Sequence, residues 1–244
     1  MRLTVLGNNG PFPSAGGACS GYLLTGGGSR VLIDCGNGVL GNLQKFLPLT
    51  GLDCIIVTHL HSDHVSDLMV LRYAVQIKNA RGTMAKTLDV YAPPEPQAEF
   101  ERLDIKNAFN LRPLNSGTVL DVGGLRFKFS EMTHPVKCLA VSAEEGTKRF
   151  VFSGDTSWNE DIIGFSKGAE LLMLDAGLLS KDKTSDNVAH LTAEECGIVA
   201  REAGVERLLL THFWPEYDPQ ELLAEAAKNF KNTEIAALLE TFEI

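Results

Sequence analysis

The sequence predicts an α/β protein in which outer helices cover two β-sheets, organised as a single domain over residues 1–244. Short apolar runs separated by glycine turns fill the first half, and a β meander occupies the middle. The last third alternates helical and strand patterns. With 244 residues and 44% hydrophobic content, the chain is long enough to bury one large core.

Strands dominate the first half. Gly26-Gly27-Gly28 joins two of them and is typical of a hairpin, because glycine tolerates positive φ. The predicted strands cover residues 3–6, 21–25, 30–34, 54–57 and 87–92. The predicted helices cover residues 39–46, 64–77 and 96–103. The stretch 7–17 has no period, and it is either a surface loop or a loop that lines a site at strand ends.

The second half adds a meander and then alternating elements. The meander spans 117–133 and turns at Gly123-Gly124. Further predicted strands cover residues 140–143, 149–153, 171–174 and 207–210. Predicted helices cover residues 192–203 and 219–230. No Pro/Ser-rich linker separates these parts, so we expect one domain.

Composition narrows the class of protein. The opening MRLTVLGNNGPFP has one Arg and a short apolar stretch, which predicts neither a signal peptide nor a membrane span, and hence a cytoplasmic protein. The five cysteines form no C-x-x-C pair and lie in or beside apolar runs, which predicts reduced thiols. The net charge of -9 argues against a chain-wide nucleic-acid surface, although a local basic groove or bound cations would offset it.

A dense histidine cluster follows the apolar run 54–57. THLHSDH at 58–64 places His59, His61, Asp63 and His64 within six residues. Imidazole and carboxylate are ligands that zinc accepts, so the cluster predicts a site for one ion, or for two ions that divide the ligands. The alternative is a helix start capped by Asp63 beside incidental histidines. We favour the metal site, because unpaired histidines rarely cluster in a surface loop.

The remaining histidines lie near the ends of predicted elements. The chain has six in all, and the other three are His134 in MTHPV, His190 in AHLTAEE and His212 in LLLTHF. Asp155 in VFSGDTSW ends a strand in the same way. Each of these residues alone has a structural alternative as a core or turn residue. Together with the first cluster, they indicate loops that converge on one site.

These motifs resemble the metallo-β-lactamase superfamily. THLHSDH, His134, the SGDT that contains Asp155 and the LLLTHF that contains His212 are similar to its ordered motifs H-x-H-x-D-H, H, D and H. LIDCGNG at 32–38 is similar to an Asp-bearing motif after an early strand, so the resemblance covers almost the whole chain. The fold that the resemblance implies is a four-layer αββα sandwich of two mixed β-sheets flanked by helices.

A dinuclear metal hydrolase is the activity that the resemblance implies. The implied ligands are His59, His61 and His134 for one ion, Asp63, His64 and His212 for the second, and Asp155 for both. Asp63 is also implied to be catalytic. Asp34 is implied to orient a ligand ring, and its alternative is a plain strand-end turn residue. Zinc is the predicted metal for both sites, with manganese or iron as alternatives because N and O ligands suit all three.

AHLTAEECGIV at 189–199 narrows the chemistry. Thr192 and Glu195 have the spacing of a capping box, which places His190 just before a helix amino terminus. There it can bind a phosphoryl oxygen or protonate a leaving alkoxide, and its alternative is a backbone-bonded histidine at the start of the helix. This motif resembles the ribonuclease Z-like phosphodiesterase branch. Asp175 lies where that branch usually has Glu, so it is either an assistant of His190 or a strand-end cap.

Two departures from that branch favour a small substrate. Its transfer-RNA processing members carry a long basic arm between the third-motif His and the bridging Asp, whereas only residues 135–154 separate His134 from Asp155 here. Asp67 stands where the branch commonly has Gly and adds negative charge near the predicted pocket. We therefore expect a small or cyclic phosphodiester substrate, such as a cyclic nucleotide, and we do not favour nucleic acid or a membrane as a partner.

Three other functions remain open on these motifs. They are a ribonuclease Z-like RNA 3′-processing endonuclease without its arm, a lactone, thioester or β-lactam hydrolase that has no need of His190, and a non-catalytic metal-binding module. The resemblance is also compatible with a homodimer. Four aromatic residues follow presumed ligands and are either pocket walls or core, of which we favour core: Trp158, Phe213, Trp214 and Tyr217.

Overall fold

Two β-sheets of seven strands each form the centre of the computed structural model, which describes residues 1–185 and 188–244. The strands of the first sheet are β1 (Arg2–Gly7), β2 (Gly21–Gly26), β3 (Ser29–Ile33), β4 (Cys54–Ile56), β5 (Leu88–Ala92), β6 (Phe109–Pro113) and the last strand of the chain, β14 (Thr241–Glu243). Their spatial order is β14-β1-β2-β3-β4-β5-β6. Pairing is antiparallel from β14 to β3 and parallel from β3 to β6, so this sheet is mixed.

The second sheet repeats this arrangement. Its strands are β7 (Val119–Val122), β8 (Leu125–Met132), β9 (Cys138–Glu145), β10 (Lys148–Phe152), β11 (Leu171–Asp175), β12 (Arg207–Thr211) and β13 (Thr233–Ile235). They lie side by side in chain order. Pairing is antiparallel from β7 to β10 and parallel from β10 to β13. The parallel strands β11 and β12 are almost wholly buried, because both of their faces are covered.

Side-chain alternation builds the layers. Phe150 and Phe152 of β10 point into the core between the sheets, where the Phe152 ring lies 4.9 Å from that of Tyr22. Val151, between them in sequence, points to the opposite face and joins the core under the helices. Successive strand residues face opposite sides of a sheet, so one run of apolar residues contributes to two cores.

Helices cover the outer face of each sheet. Those over the first sheet are α1 (Val39–Leu43), α3 (Leu68–Ala80) and α4 (Gln97–Arg102), with the single turn α2 (Ser62–Val65) before α3. Those over the second sheet are α5 (Asp161–Ser166), α6 (Ala193–Ala203) and α7 (Pro219–Ala226). The expected αββα sandwich is therefore confirmed. In the described part of the chain, every helix is too short or too polar to cross a membrane.

One predicted helix is divided in the structure. The pattern at 64–77 predicts a single helix, but α2 and α3 are separate. The backbone of Cys35 comes between them: its N–H donates to the carbonyl of His64 at 2.8 Å, and its carbonyl accepts from the N–H of Asp67 at 3.0 Å. These bonds replace bonds of the helical ladder, so the helix restarts at Leu68.

Several short elements escaped the sequence prediction. The three-residue strands β13 and β14 lie at the sheet edges, and β6 is mostly exposed and ends in a proline, so none of them shows a clear period. The six-residue helix α5 was also missed. Helix α7 ends at Ala226, four residues before the predicted end at 230.

Candidate metal centre

The predicted ligands meet at the carboxyl ends of strands from both sheets. His59 follows β4, His134 follows β8, Asp155 follows β10 and His212 follows β12. In sheets of this kind the carboxyl ends of parallel strands share one edge, where sites commonly form. A backbone bond of 3.0 Å from the N–H of Leu139 to the carbonyl of Thr58 links the two sheets beside this edge. The chain therefore brings residues 59 and 212 into one cluster.

Three histidines form the first half of the cluster. His61 Nδ1 lies 3.1 Å from His59 Nε2 and 3.1 Å from His134 Nε2. Nitrogen ligands at the usual zinc distance stand roughly 3.3 Å apart in a tetrahedral site. The two distances from His61 Nδ1 thus match the spacing that one zinc ion requires, and the three histidines offer ligand atoms that all lie within 4.8 Å of one another.

Four residues form the second half: Asp63, His64, Asp155 and His212. His212 Nε2 lies 3.3 Å from Asp63 Oδ2 and 3.2 Å from Asp155 Oδ2. His64 Nε2 lies 3.6 Å from Asp63 Oδ2 and 3.4 Å from Asp155 Oδ1. Two imidazoles and two carboxylates therefore point at one small volume, with one ligand atom from each.

Asp155 lies between the two halves. Its Oδ2 is 3.6 Å from His59 Nε2 in the first half and 3.2 Å from His212 Nε2 in the second. The side chain is buried, and its position follows from β10, which ends three residues earlier. A single carboxylate is thus in reach of both groups of donors.

Three buried atoms of the second half lack a hydrogen-bond partner among the described residues. One is His212 Nδ1, and the other two are His64 Nε2 and Asp155 Oδ1, which face each other at 3.4 Å. A buried ionic oxygen without a donor is costly, and a divalent cation between the two atoms removes that cost. The donor set of imidazole and carboxylate suits zinc, manganese or iron. The residues present therefore fit a divalent metal.

Asp34 holds the ring of His64 from behind. Its Oδ2 accepts from His64 Nδ1 at 2.8 Å and from the hydroxyl of Thr58 at 2.8 Å, while its Oδ1 accepts from the backbone N–H of Thr58 at 2.8 Å. With Nδ1 protonated, Nε2 of His64 is the nitrogen left for a metal. Asp34 adopts φ 59°, a left-handed conformation that Asp tolerates better than most residues. The carboxylate predicted to orient a ring does contact one.

Asp175 contacts two histidines. Its Oδ2 accepts from His190 Nδ1 at 2.8 Å, and its Oδ1 lies 3.4 Å from His212 Nδ1. Backbone N–H groups of Thr156 and Gly177 also donate to the carboxylate, at 3.2 Å and 3.0 Å. These contacts include both those of a strand-end cap and those of a partner of His190, the two roles predicted for Asp175. These ligand atoms of Asp175, His190 and His212 also lie close enough together to hold an ion.

His190 stands where the capping box predicts it. Thr192 Oγ1 accepts from the N–H of Glu195 at 3.1 Å, and the Glu195 carboxylate accepts from the N–H of Thr192 at 2.9 Å, so α6 begins just after His190. The His190 ring stacks on that of His212 at 5.0 Å and lies 5.8 Å from that of His134. Its side chain is 25% exposed. One face of this imidazole therefore borders the cluster and another is open to solvent.

The clustered charges shift the pKa values of the ligands. Burial lowers the pKa of His64, but the Asp155 and Asp34 carboxylates outweigh it and raise that pKa to about 10. Burial raises the pKa of Asp155, yet His212, His64 and His59 outweigh it and hold that pKa well below its usual range. Burial and the neighbouring His64 lower the pKa of His59. An ion that binds His64 therefore displaces a proton.

Thr58, which the sequence did not single out, helps to fix Asp34, as described above. The loop at 7–17 takes the second of its two predicted roles and lines the cluster: a Cβ on Gly10 would lie 2.0 Å from Nε2 of His212, so this ligand ring fits only against a glycine. Asp67 accepts from the N–H of Leu40 at 2.8 Å in the first turn of α1, a contact that holds α1. That its negative charge lies near the pocket stays a prediction.

Three of the four aromatic residues that follow presumed ligands lie in or against the core, as predicted. Phe213 is buried, and Trp158 and Tyr217 pack against the core under α5 to α7. The expectation was wrong for Trp214, which is 36% exposed. Phe12, which the sequence did not single out, packs against it. Residues 135–154, between His134 and Asp155, form the hairpin of β9 and β10, and this segment contains no long basic arm.

Comparisons with known proteins agree with this geometry. Residues 29–213 match a family model described as a beta-lactamase superfamily domain. The chain is 33% identical to the probable metallo-hydrolase YhfI of Bacillus subtilis, covering 96% of each protein. The crystal structure of the metallo-beta-lactamase fold protein YhfI superposes with a TM-score of 0.93 at 31% identity, covering 100% of this chain and 98% of that one.

A ribonuclease Z is also similar. The protein of that name from Methanothermobacter thermautotrophicus is 29% identical, covering 100% of this chain and 97% of its own length. That alignment runs over 308 residues against a chain of 244, so the ribonuclease carries residues that have no counterpart here.

Proposed function

The chain belongs to the metallo-β-lactamase superfamily, and we propose on that premise that it is a dinuclear-metal phosphodiesterase acting on a small or cyclic phosphodiester. One observation carries the proposal. His190, paired with the buried Asp175, borders the two groups of metal-binding side chains. Hydrolysis of a phosphodiester with a poor leaving group needs a proton donor at that place, and the motif that carries His190 resembles that of the ribonuclease Z-like phosphodiesterase branch.

We assign the ligands to two ions. His59, His61 and His134 would hold the first ion, Asp63, His64 and His212 would hold the second, and Asp155 would contribute to both. Two ions in such a pair activate water and stabilise the charges of an in-line displacement at phosphorus. The spacing of the three histidines and the unpartnered His64 Nε2 and Asp155 Oδ1 within the described chain support this assignment. Zinc is the metal that we favour.

His190 acts in this proposal as the general acid. Burial lowers the pKa of His190, but the Asp175 carboxylate outweighs it and raises that pKa above its ordinary value. The imidazole therefore carries a proton more readily than a free histidine does. Nδ1 donates to Asp175, which leaves Nε2 to protonate the leaving alkoxide. Asp175 is a positioning residue that holds the ring and stabilises its charge.

A small substrate fits the rest of the surface better than transfer RNA does. The hairpin of β9 and β10 leaves no room for a long basic arm within residues 135–154, and the net charge is -9. Phosphate-rich polymers bind through many Lys and Arg contacts. The similarity to a ribonuclease Z along the whole chain keeps RNA 3′-processing as the second candidate.

The first experiment measures metal content and hydrolysis on one preparation. The substrates are bis(p-nitrophenyl) phosphate, 2′,3′- and 3′,5′-cyclic nucleotides, a precursor transfer RNA, a lactone and a thioester, each before and after chelation. We expect about two metals per chain and chelator-sensitive turnover of the small phosphodiesters. Cleavage of the precursor RNA alone supports the second candidate, and turnover of only the lactone or thioester refutes the phosphodiesterase.

A variant tests the role of His190. His190→Ala should keep its metal content and lose turnover, most strongly on esters with poor leaving groups, by the 10²- to 10⁴-fold that general acids contribute. Bis(p-nitrophenyl) phosphate, whose leaving group needs little protonation, is the internal control. An equal loss on every ester contradicts the assignment of His190 as the acid.

A further inference from the structure

Two exposed aromatic rings form a pair that the proposed chemistry does not use. The rings of Phe12 and Trp214 meet edge to face, with centroids 5.2 Å apart and planes at 82°. Phe12 is 43% exposed and Trp214 is 36% exposed. Single exposed aromatic residues are common on protein surfaces, whereas two open rings in contact with each other form a contiguous apolar patch of the kind that marks a binding site.

Backbone contacts attach this pair to the wall of the metal centre. The N–H of Gly10 donates to the carbonyl of Phe213 at 3.0 Å, and the N–H of Phe213 donates to the carbonyl of Asn8 at 2.8 Å. Gly10 itself lies against the Nε2 edge of His212. Phe12 is two residues from Gly10 and Trp214 is two residues from His212. Two residues span at most about 7 Å, so the Cα atoms of Phe12 and Trp214 both lie within about 7 Å of Gly10 or His212, beside the second group of ligands.

We propose that Phe12 and Trp214 are a specificity-determining platform that stacks the nucleobase of the substrate, so that the enzyme acts on nucleobase-bearing small phosphodiesters such as nucleoside cyclic phosphates. This inference rests on the proposed phosphodiesterase function. The metal centre engages the phosphate, while the aromatic pair beside it offers a ring face to a flat group. Base stacking on aromatic side chains needs no positive charge, which suits a chain with a net charge of -9.

A kinetic comparison of two substrates tests the platform. Adenosine 2′,3′-cyclic phosphate is paired with methyl ribofuranoside 2,3-cyclic phosphate, which has the same ester and no base. In Phe12→Ala and Trp214→Ala, we expect the ratio of kcat/KM for the nucleotide to that for the base-free ester to fall on the order of tenfold, mainly through KM. Trp214→Phe, which keeps a stacking ring, should retain most of the ratio.

A matched control comes from another exposed phenylalanine. Phe46 is as exposed as Phe12, at 43%, and it follows α1. Phe46→Ala should leave the substrate ratio at the wild-type value. An unchanged ratio in both Phe12→Ala and Trp214→Ala overturns the platform, and so does an equal fall of the ratio in Phe46→Ala.

Binding without turnover separates this inference from the function on which it rests. The chain has two tryptophans, so Trp158→Phe leaves Trp214 as the reporter of its own environment. Adenosine 5′-monophosphate should quench the fluorescence of the metal-loaded variant, and ribose 5-phosphate should not. If no phosphodiester is hydrolysed but this quenching occurs, the function fails and the platform stands. If neither ligand quenches, or both quench equally, the platform is refuted.

Discussion

Gly10→Ala should prevent metal binding by the second group of ligands, although it replaces none of the ligand residues. The new Cβ would lie 2.0 Å from both Cε1 and Nε2 of His212, whereas ordinary van der Waals contact begins at 3.4 Å. The ring cannot swing aside at little cost, because it is buried and faces Asp63, Asp155 and Asp175. The ring or the loop must therefore move by about 1.4 Å to restore ordinary contact, and metal sites tolerate only about 0.2 Å.

The expected result is specific to one ion. We expect Gly10→Ala to lose the ion proposed for Asp63, His64 and His212, to keep the one proposed for the three histidines, and to lose turnover on the order of 100-fold. The assay is elemental analysis of metal per chain after dialysis, followed by turnover at saturating metal. Gly10 does not have positive φ, so backbone strain does not contribute to the effect.

Gly117→Ala is the matched control for Gly10→Ala. A Cβ at Gly117 meets no atom of the described chain within 4 Å, and this glycine also lacks positive φ. Its metal content and turnover should equal those of the wild type. A Gly10→Ala protein with two metals and full turnover would refute the steric reasoning and the position of His212 in the centre.

Three other substitutions test separate parts of the molecule. Asp155→Ala removes the carboxylate in reach of both groups, so both ions and all activity should be lost. Full turnover with two metals bound would contradict the proposal that Asp155 is a ligand of both ions. Asp34→Ala frees the ring of His64, which should weaken metal binding by about 10- to 100-fold in a competition titration with a chelator, and an unchanged affinity would show that the ring needs no support. Thr192→Ala removes the cap of α6 and should lower the free energy of unfolding by about 1 kcal/mol in urea denaturation, with metal content unchanged; a wild-type midpoint means that the cap adds nothing.

Local patterns predicted the elements whose side chains repeat clearly. The glycine-linked hairpin of β2 and β3, the meander of β7 and β8 and the capped helix α6 all lie where the sequence places them. Their signals are short-range, because a turn, a cap or an alternation is complete within a few residues. Edge strands such as β13 carry no such signal, since three residues with one partner strand show no period.

The metal-binding character of the site could also be predicted from a signal that lies within a few residues. Imidazole and carboxylate donors as dense as those of THLHSDH are rare in one loop, so the amino-acid sequence alone indicates a metal. The later motifs with His134, Asp155 and His212 each end or follow a strand, and this placement already predicts that they converge. The grouping of these residues around two ions came from the resemblance, and the distances that support it came from the fold.

The sequence by itself determined which donor atoms the protein has and which strands or helices carry them. Only the tertiary structure decided what stands behind and beside those donors. The ring that Asp34 contacts is that of His64, Gly10 makes room for His212 and Phe12 meets Trp214, and in each case the two residues are distant in sequence. Such pairs leave no local period or motif, because contact between them arises only when strands from both ends of the chain align at one edge of the sandwich.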